Sequence, residues 1–133
     1  MNEKIPLAKK NETILVVDDE DCIWDFVIEA LQNLGYIVLL AGDGEEAVDI
    51  YKNNPGEIDL VFLDMVMPRV GGHSAFFQIR SINPKAKVLL SSGYVAEKEI
   101  EDLLEQGAQG FLHKPHRIKT LAVEIRRILD KTI

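Results

Sequence analysis

Asp59-Leu60-Val61-Phe62-Leu63-Asp64, continuing into Met65-Val66-Met67-Pro68, is the stretch that decides the architecture of this chain. Four apolar residues lie between two acids with no polar alternation, the pattern of a strand covered on both faces by helices in a parallel sheet. Four further runs on either side share it: TILVVD (13–18), YIVLLA (36–41), KVLLSS (87–92) and GFLH (110–113). Between these runs the apolar spacing changes from continuous to helical. Ile23, Phe26, Val27, Ala30, Leu31 and Leu34 form one stripe closed by Gly35, a residue suited to a left-handed helix cap.

A second helix is expected from the Gly-Asp-Gly at 42–44, burying Ala47, Val48 and Tyr51, and a third over about His73 to Ser81 through Phe76 and Ile79. The fourth uses Ile100, Leu103 and Leu104 before Gly107, and the fifth uses Ile118, Leu121, Ala122, Ile125, Ile128 and Leu129. Strict alternation of strand and helix with right-handed crossovers predicts a doubly wound α/β fold. Its five-stranded parallel sheet is expected in the flavodoxin-like (βα)5 order 2-1-3-4-5. Functional residues then belong at the carboxyl ends of the strands, at the switch point between strands 1 and 3.

The 133 residues fit one domain over residues 12–133, with residues 1–11 expected to be a flexible tail. No apolar run approaches a membrane span, and the polar start lacks the apolar core of a signal peptide, so a cytoplasmic location is expected. Cys22 cannot form an internal disulfide and reads as a small apolar residue in the first helical stripe. A net charge of −7 argues against nucleic acid as the main partner. The six Lys or Arg against two acids in residues 114–133 read as a solvated face with cations near a helix C-terminus.

Chemistry concentrates at the expected strand ends. Strand 1 runs into Asp18-Asp19-Glu20-Asp21, strand 3 ends in Asp64, strand 4 in Ser91-Ser92, and strand 5 is followed by Lys114-Pro115. Carboxylates of Asp18, Asp19 and Asp64 brought together repel one another unless a cation sits among them. Mg²⁺ suits such a site, because it takes one or two carboxylates and completes its shell with water and a phosphate oxygen at about 2.0–2.1 Å. Helix capping explains some of the acids near residue 20 but not Asp64. Lys114 can set an ammonium against Asp64 or a phosphoryl group on it. Ser91 and Ser92 point to opposite faces, so one of them reaches the site.

The set DDED (18–21), DMVMP (64–68), SSG (91–93), GAQGF (107–111) and KP (114–115) resembles the receiver domain of bacterial response regulators, including chemotaxis regulators, over roughly residues 12–131. The resemblance implies a two-component phosphorelay in which Asp64 is the phosphoacceptor. It also implies Mg²⁺ ligation by Asp19, Asp64 and the carbonyl of Val66, with Asp18 helping through water. Lys114 and Ser92 would act on the phosphoryl group, and Phe111 would be the rotating aromatic that changes the surface of helix 4, strand 5 and helix 5. Implied partners are a sensor histidine kinase or histidine phosphotransfer protein, and a downstream protein target or further domain of a parent chain. The chain would act as a monomer or a phosphorylation-promoted dimer.

His116 departs from the family, which often has an aromatic residue after Lys-Pro, and makes that end of the site more polar. His73, His113 and His116 lack metal-ligand spacing and read as incidental. Val66 and Tyr94 fall at positions that in the family tune water access to the phosphoryl group, and the resemblance there implies slow self-dephosphorylation. Two other classes stay open on sequence. One is a haloacid-dehalogenase-like phosphatase using Asp19 and Asp21, disfavoured by the lack of a cap insertion. The other is a binding module, either a flavodoxin-like nucleotide binder, against which the chain has neither a GxGxxG after strand 1 nor a GxxxxGK[ST] loop, or a non-phosphorylated receiver-like module.

Overall fold

Strands β1 (Thr13–Val17), β2 (Ile37–Ala41), β3 (Leu60–Asp64), β4 (Val88–Ser92) and β5 (Gly110–His113) pair in parallel in the order β2-β1-β3-β4-β5. They alternate with α1 (Asp21–Asn33), α2 (Gly44–Asn53), α3 (Gly72–Ile82), α4 (Glu97–Glu105) and α5 (Ile118–Asp130). This computed structural model describes residues 5–9, 11–19, 21–54, 56–65, 71–93, 97–114 and 116–131, with the side chains of 21–24 and 97 outside the description. The expected fold class and strand order are those observed.

Period-two side-chain alternation divides each central strand between two cores. Leu15, Val17, Val61, Leu63, Val88 and Leu90 pack with Ala47 and Tyr51 of α2, Ala75, Phe76 and Ile79 of α3, and Leu103 of α4. Their neighbours Ile14, Val16, Leu60, Phe62 and Leu89 face Val27 and Leu31 of α1 and Leu121, Ala122, Ile125 and Ile128 of α5. Each fully buried Leu or Phe contributes about 1.5–3 kcal/mol of transfer free energy. Having a helical layer on both faces is why the middles of β1, β3 and β4 carry no polar residue, with Thr13 at the start of β1 and Asp64, Ser91 and Ser92 at the ends of β3 and β4.

The outer strands differ. In β2, Ile37 and Leu40 are exposed although the run reads as continuously apolar. The strand lies at the sheet's edge, where helices cover it incompletely. Phe26, Leu104 and Ile118 are also exposed, at the margins of stripes whose central residues are buried.

Local chemistry fixes the helix ends. The Asp43 side chain accepts from the Glu46 N–H at 2.9 Å, while the Glu46 carboxylate accepts from the Gly42 N–H at 2.8 Å, so each satisfies a donor that the first turn of α2 leaves open. Gly35, at φ +102°, ends α1 in the left-handed region as its place after the stripe requires.

Within the expected tail, Ala8 N–H donates to Leu34 O at 2.9 Å and the Lys9 ammonium meets Asp130 at 2.9 Å. Glu12 pairs with Arg126 at 2.6 Å, and that hydrogen bond holds the Glu12 carboxyl below its ordinary range. These bonds tie the segment before β1 to the ends of α1 and α5. Among the described residues, no helix is long and apolar enough to cross a membrane.

Candidate functional site

The parallel register brings the predicted strand ends to one rim. Val17 stands beside both Ala41 and Leu63, Asp64 beside Ser91, and Ser92 beside His113. Backbone bonds carry the alignment one residue further: Asp18 N donates to Ala41 O at 3.1 Å, Met65 N to Ser91 O at 2.9 Å, and Lys114 N to Ser92 O at 2.9 Å. Each reactive side chain is thus anchored by sheet hydrogen bonds at or next to its own residue.

Asp18, Asp19 and Asp64 come together, with one carboxylate oxygen from each lying within 4.8 Å of the others. Asp18 and Asp64 are each only 3% exposed, while Asp19 is exposed. Burying two carboxylates side by side is costly without cations. Lys114 supplies one: its Nζ lies 2.8 Å from Asp18 Oδ2 and 3.3 Å from Asp64 Oδ2. Burial alone would lower the pKa of this lysine, but the hydrogen bond to Asp18 and the charges of Asp64 and Asp18 outweigh it and hold the ammonium above its ordinary 10.5. One ammonium against three carboxylates leaves a net negative site of hard oxygen donors, a set that fits Mg²⁺.

The rim's two serines divide as alternation requires. Ser91 shares the face of Phe62 and Leu89, where its hydroxyl hydrogen-bonds His116 Nε2 at 3.0 Å. Ser92 lies on the opposite face of β4 and is 1% exposed. Phe111 of β5 is half-buried against the core under α2, α3 and α4, and its ring meets His113 edge-on with centroids 4.9 Å apart. Val66, Tyr94 and Pro115 lie outside the described residues, as do Glu20 and the side chains of Asp21, Cys22 and Ile23.

At the site, Gly72 escaped the sequence reading, and His116 entered it only as a polar departure and an incidental histidine. A Cβ on Gly72 would come 2.6 Å from Asp64 O and 2.7 Å from Met65 Cα, so α3 starts directly against the backbone that carries Asp64. The Gly71-Gly72 pair was the available signal for such an approach. His116, read as incidental, stacks beside Phe62 at 5.1 Å and bonds Ser91, with its Nδ1 buried and unpartnered among the described residues. Burial foremost, then the neighbouring Lys114 charge, pushes its pKa below 6.5.

Comparisons with known proteins show the family and the fold. The family model described as the response regulator receiver domain matches residues 14–126. The sensor kinase CckA of Brucella abortus is 35% identical over 97% of this chain, which spans 14% of that protein. The response regulator MprA of a Mycobacterium species is 35% identical over 90% of the chain, here 51% of the relative. The chain therefore spans about half or less of these curated relatives. Among solved structures, a chain of the CheX–CheY–BeF3–Mg²⁺ complex from Borrelia burgdorferi is similar at 30% identity with a TM-score of 0.85, covering 90% of both chains. The receiver domain of the hybrid histidine kinase CckA matches at 37% identity and a TM-score of 0.75, covering 89% of this chain and 99% of that one. With the family model matched over most of the chain and the five parallel strands in the order β2-β1-β3-β4-β5, the chain belongs to the response regulator receiver domains, the CheY-like modules of two-component systems.

Proposed function

We propose that Asp64 accepts a phosphoryl group from a sensor histidine kinase or a histidine phosphotransfer protein, in a site where Asp18, Asp19 and Asp64 hold Mg²⁺. The observation that carries this reading is the ammonium of Lys114 between Asp18 and Asp64 at 2.8 and 3.3 Å, at the end of a buried strand. An acid needed only to cap a turn would be solvated, whereas Asp64 is buried and paired. When bound, Mg²⁺ neutralises charge on the carboxylates and on the phosphoryl oxygens.

The chain's own residues supply the rest. A carboxylate oxygen of Asp64 forms the bond to phosphorus as the donor's phosphorus–nitrogen bond breaks, and the electron pair departs on the donor imidazole. Lys114 then meets the added negative charge, its ammonium held by Asp18 and kept protonated through neutral pH. Gly93 stands beside Lys114, where a Cβ would make ordinary van der Waals contact with the lysine side chain at 3.8 Å. Ser92 donates its hydroxyl to the phosphoryl group, and Phe111 turns inward as the surface of α4, β5 and α5 shifts between two packings. The protein thereby catalyses only its own phosphorylation and dephosphorylation, and its output is a contact with another protein or a further domain.

Intact mass before and after acetyl phosphate with Mg²⁺ tests the reading. Wild type is expected to gain one phosphoryl group and Asp64→Asn none at that site. An unchanged wild-type mass would leave a non-phosphorylated binding module, and catalytic release of phosphate from small esters would point to a phosphatase.

A further inference from the structure

At the opposite edge of the sheet, cations gather around one cleft. A cleft of about 400 Å³ lies between the C-terminal ends of α3 and α5, the start of β4 and the turn from α4 into β5. Arg80, Lys85, Lys87, Arg127 and Lys131 line it, with no acid lining it among the described residues. Its volume falls within the roughly 300–1,000 Å³ of small-molecule clefts. Five cations around one cleft stand out in a chain of net charge −7.

Part of this charge has a local cause. Helix C-termini attract cations, and Lys87 Nζ donates to Leu129 O and Lys131 O at 3.1 and 2.9 Å, while Arg127 donates to Gln109 O at 2.8 Å and pairs with Glu124. Those two cations are largely spent. Arg80 is held but not exhausted: its Nε donates to Ala86 O at 2.8 Å, its Nη2 to Gly107 O at 2.6 Å, and its guanidinium lies 4.9 Å over the Phe76 ring. Gly107, at φ +105°, lets the guanidinium lie against the turn, because a Cβ there would come 2.9 Å from Nη1. Among the described residues, Arg80 Nη1 and the ammonium groups of Lys85 and Lys131 make no hydrogen bond.

We propose that this cleft binds a small anion carrying two linked phosphate groups. A preordered guanidinium and two lysines offer donors to several phosphate oxygens at once. With Glu124 offsetting one cation, the remaining charge exceeds what a single carboxylate balances. The site lies at the end of the sheet away from Asp64 and is independent of the phosphoacceptor reading.

Calorimetric titration of the full chain with inorganic pyrophosphate, in low-salt buffer with a chelator and no Mg²⁺, tests it. Saturable one-site binding is expected, weakened on the order of tenfold or more in Lys85→Ala/Lys131→Ala and weaker for orthophosphate in wild type. Both lysines are exposed, so the double variant is expected to melt with wild type. Absence of saturable binding, equal binding by the double variant, or equal affinity for orthophosphate would each overturn the proposal. So would binding lost in Lys114→Ala and retained in the double variant, which would place the anion at the rim.

Discussion

Three acids cluster at the carboxyl edge of the sheet and five cations line one cleft at the amino edge, and one feature of the fold favours both. Each helix runs back against the strand before it, so helix N-termini crowd the edge with Asp18, Asp19 and Asp64, and C-termini crowd the edge with Arg80, Lys87 and Arg127. The helix macrodipole favours these signs by about 0.3–1 kcal/mol per exposed charge. What separates the edges is burial. Asp18 and Asp64 are 3% exposed and gather around one ammonium, whereas Lys85 and Lys131 stand in solvent. Dipole complementarity accounts for much of the amino edge. It falls short of offsetting two buried carboxylates, which is why the rim needs a fixed lysine.

Substituting one lysine from each edge is the strongest attempt to break this contrast. Lys114→Ala leaves Asp18 and Asp64 buried without their cation and is expected to cost about 3–5 kcal/mol in metal-free urea unfolding. Mg²⁺ is expected to recover part of that loss, since a ligand of the folded state stabilises by mass action. A cost near 1 kcal/mol and no Mg²⁺ response would show the rim acids to be as solvated as the charges below. Gly72→Ala sharpens the contrast from the backbone side. Its Cβ has no room beside Asp64 O, so overpacking of about 1–3 kcal/mol is expected together with slower phosphorylation by acetyl phosphate. Unchanged stability and rate would mean that α3 moves aside freely. Lys87→Ala removes two bonds to carbonyls at the end of α5 and is expected to cost only about 1 kcal/mol, with no dependence on Mg²⁺ in the same unfolding assay.

How far the sequence revealed these edges follows from the range of the interactions involved. β1, β3 and β4 were legible because burial on both faces leaves an uninterrupted apolar run, and Asp18, Asp64 and Lys114 because each ends or follows such a run. β2 carries the same kind of run yet exposes Ile37 and Leu40, since a strand's own residues do not record whether a helix covers them. Phe26, Leu104 and Ile118 fit the helical period but lie where the stripe meets solvent. The Ser91–His116 bond joins residues 25 apart with α4 and β5 between them, a separation no local pattern encodes. The cleft below the sheet was hidden for the same reason: its cations come from two stretches far apart in sequence, 80–87 around the end of α3 and 127–131 at the end of α5.

His116 gives the smallest expected effect and asks how firmly the rim resists a second positive charge. Burial, and then the Lys114 ammonium nearby, favour its neutral ring in the folded protein, so its pKa lies below the 6.5 of the unfolded chain. As pH falls through 6.5 the unfolded chain takes up this proton first, and the folded state loses stability until the native histidine also titrates. The contribution is therefore complete above pH 6.5 and declines below it. In His116→Phe the ring against Phe62 remains but that proton is gone, while Ser91 loses its partner, at a pH-independent cost of about 1 kcal/mol. Urea unfolding at pH 7.5 and 5.5 is expected to show a larger drop for wild type than for the variant. Equal drops would mean that the imidazole is as free to charge as a solvated one, and that the positive side of the rim tolerates another cation beside Lys114.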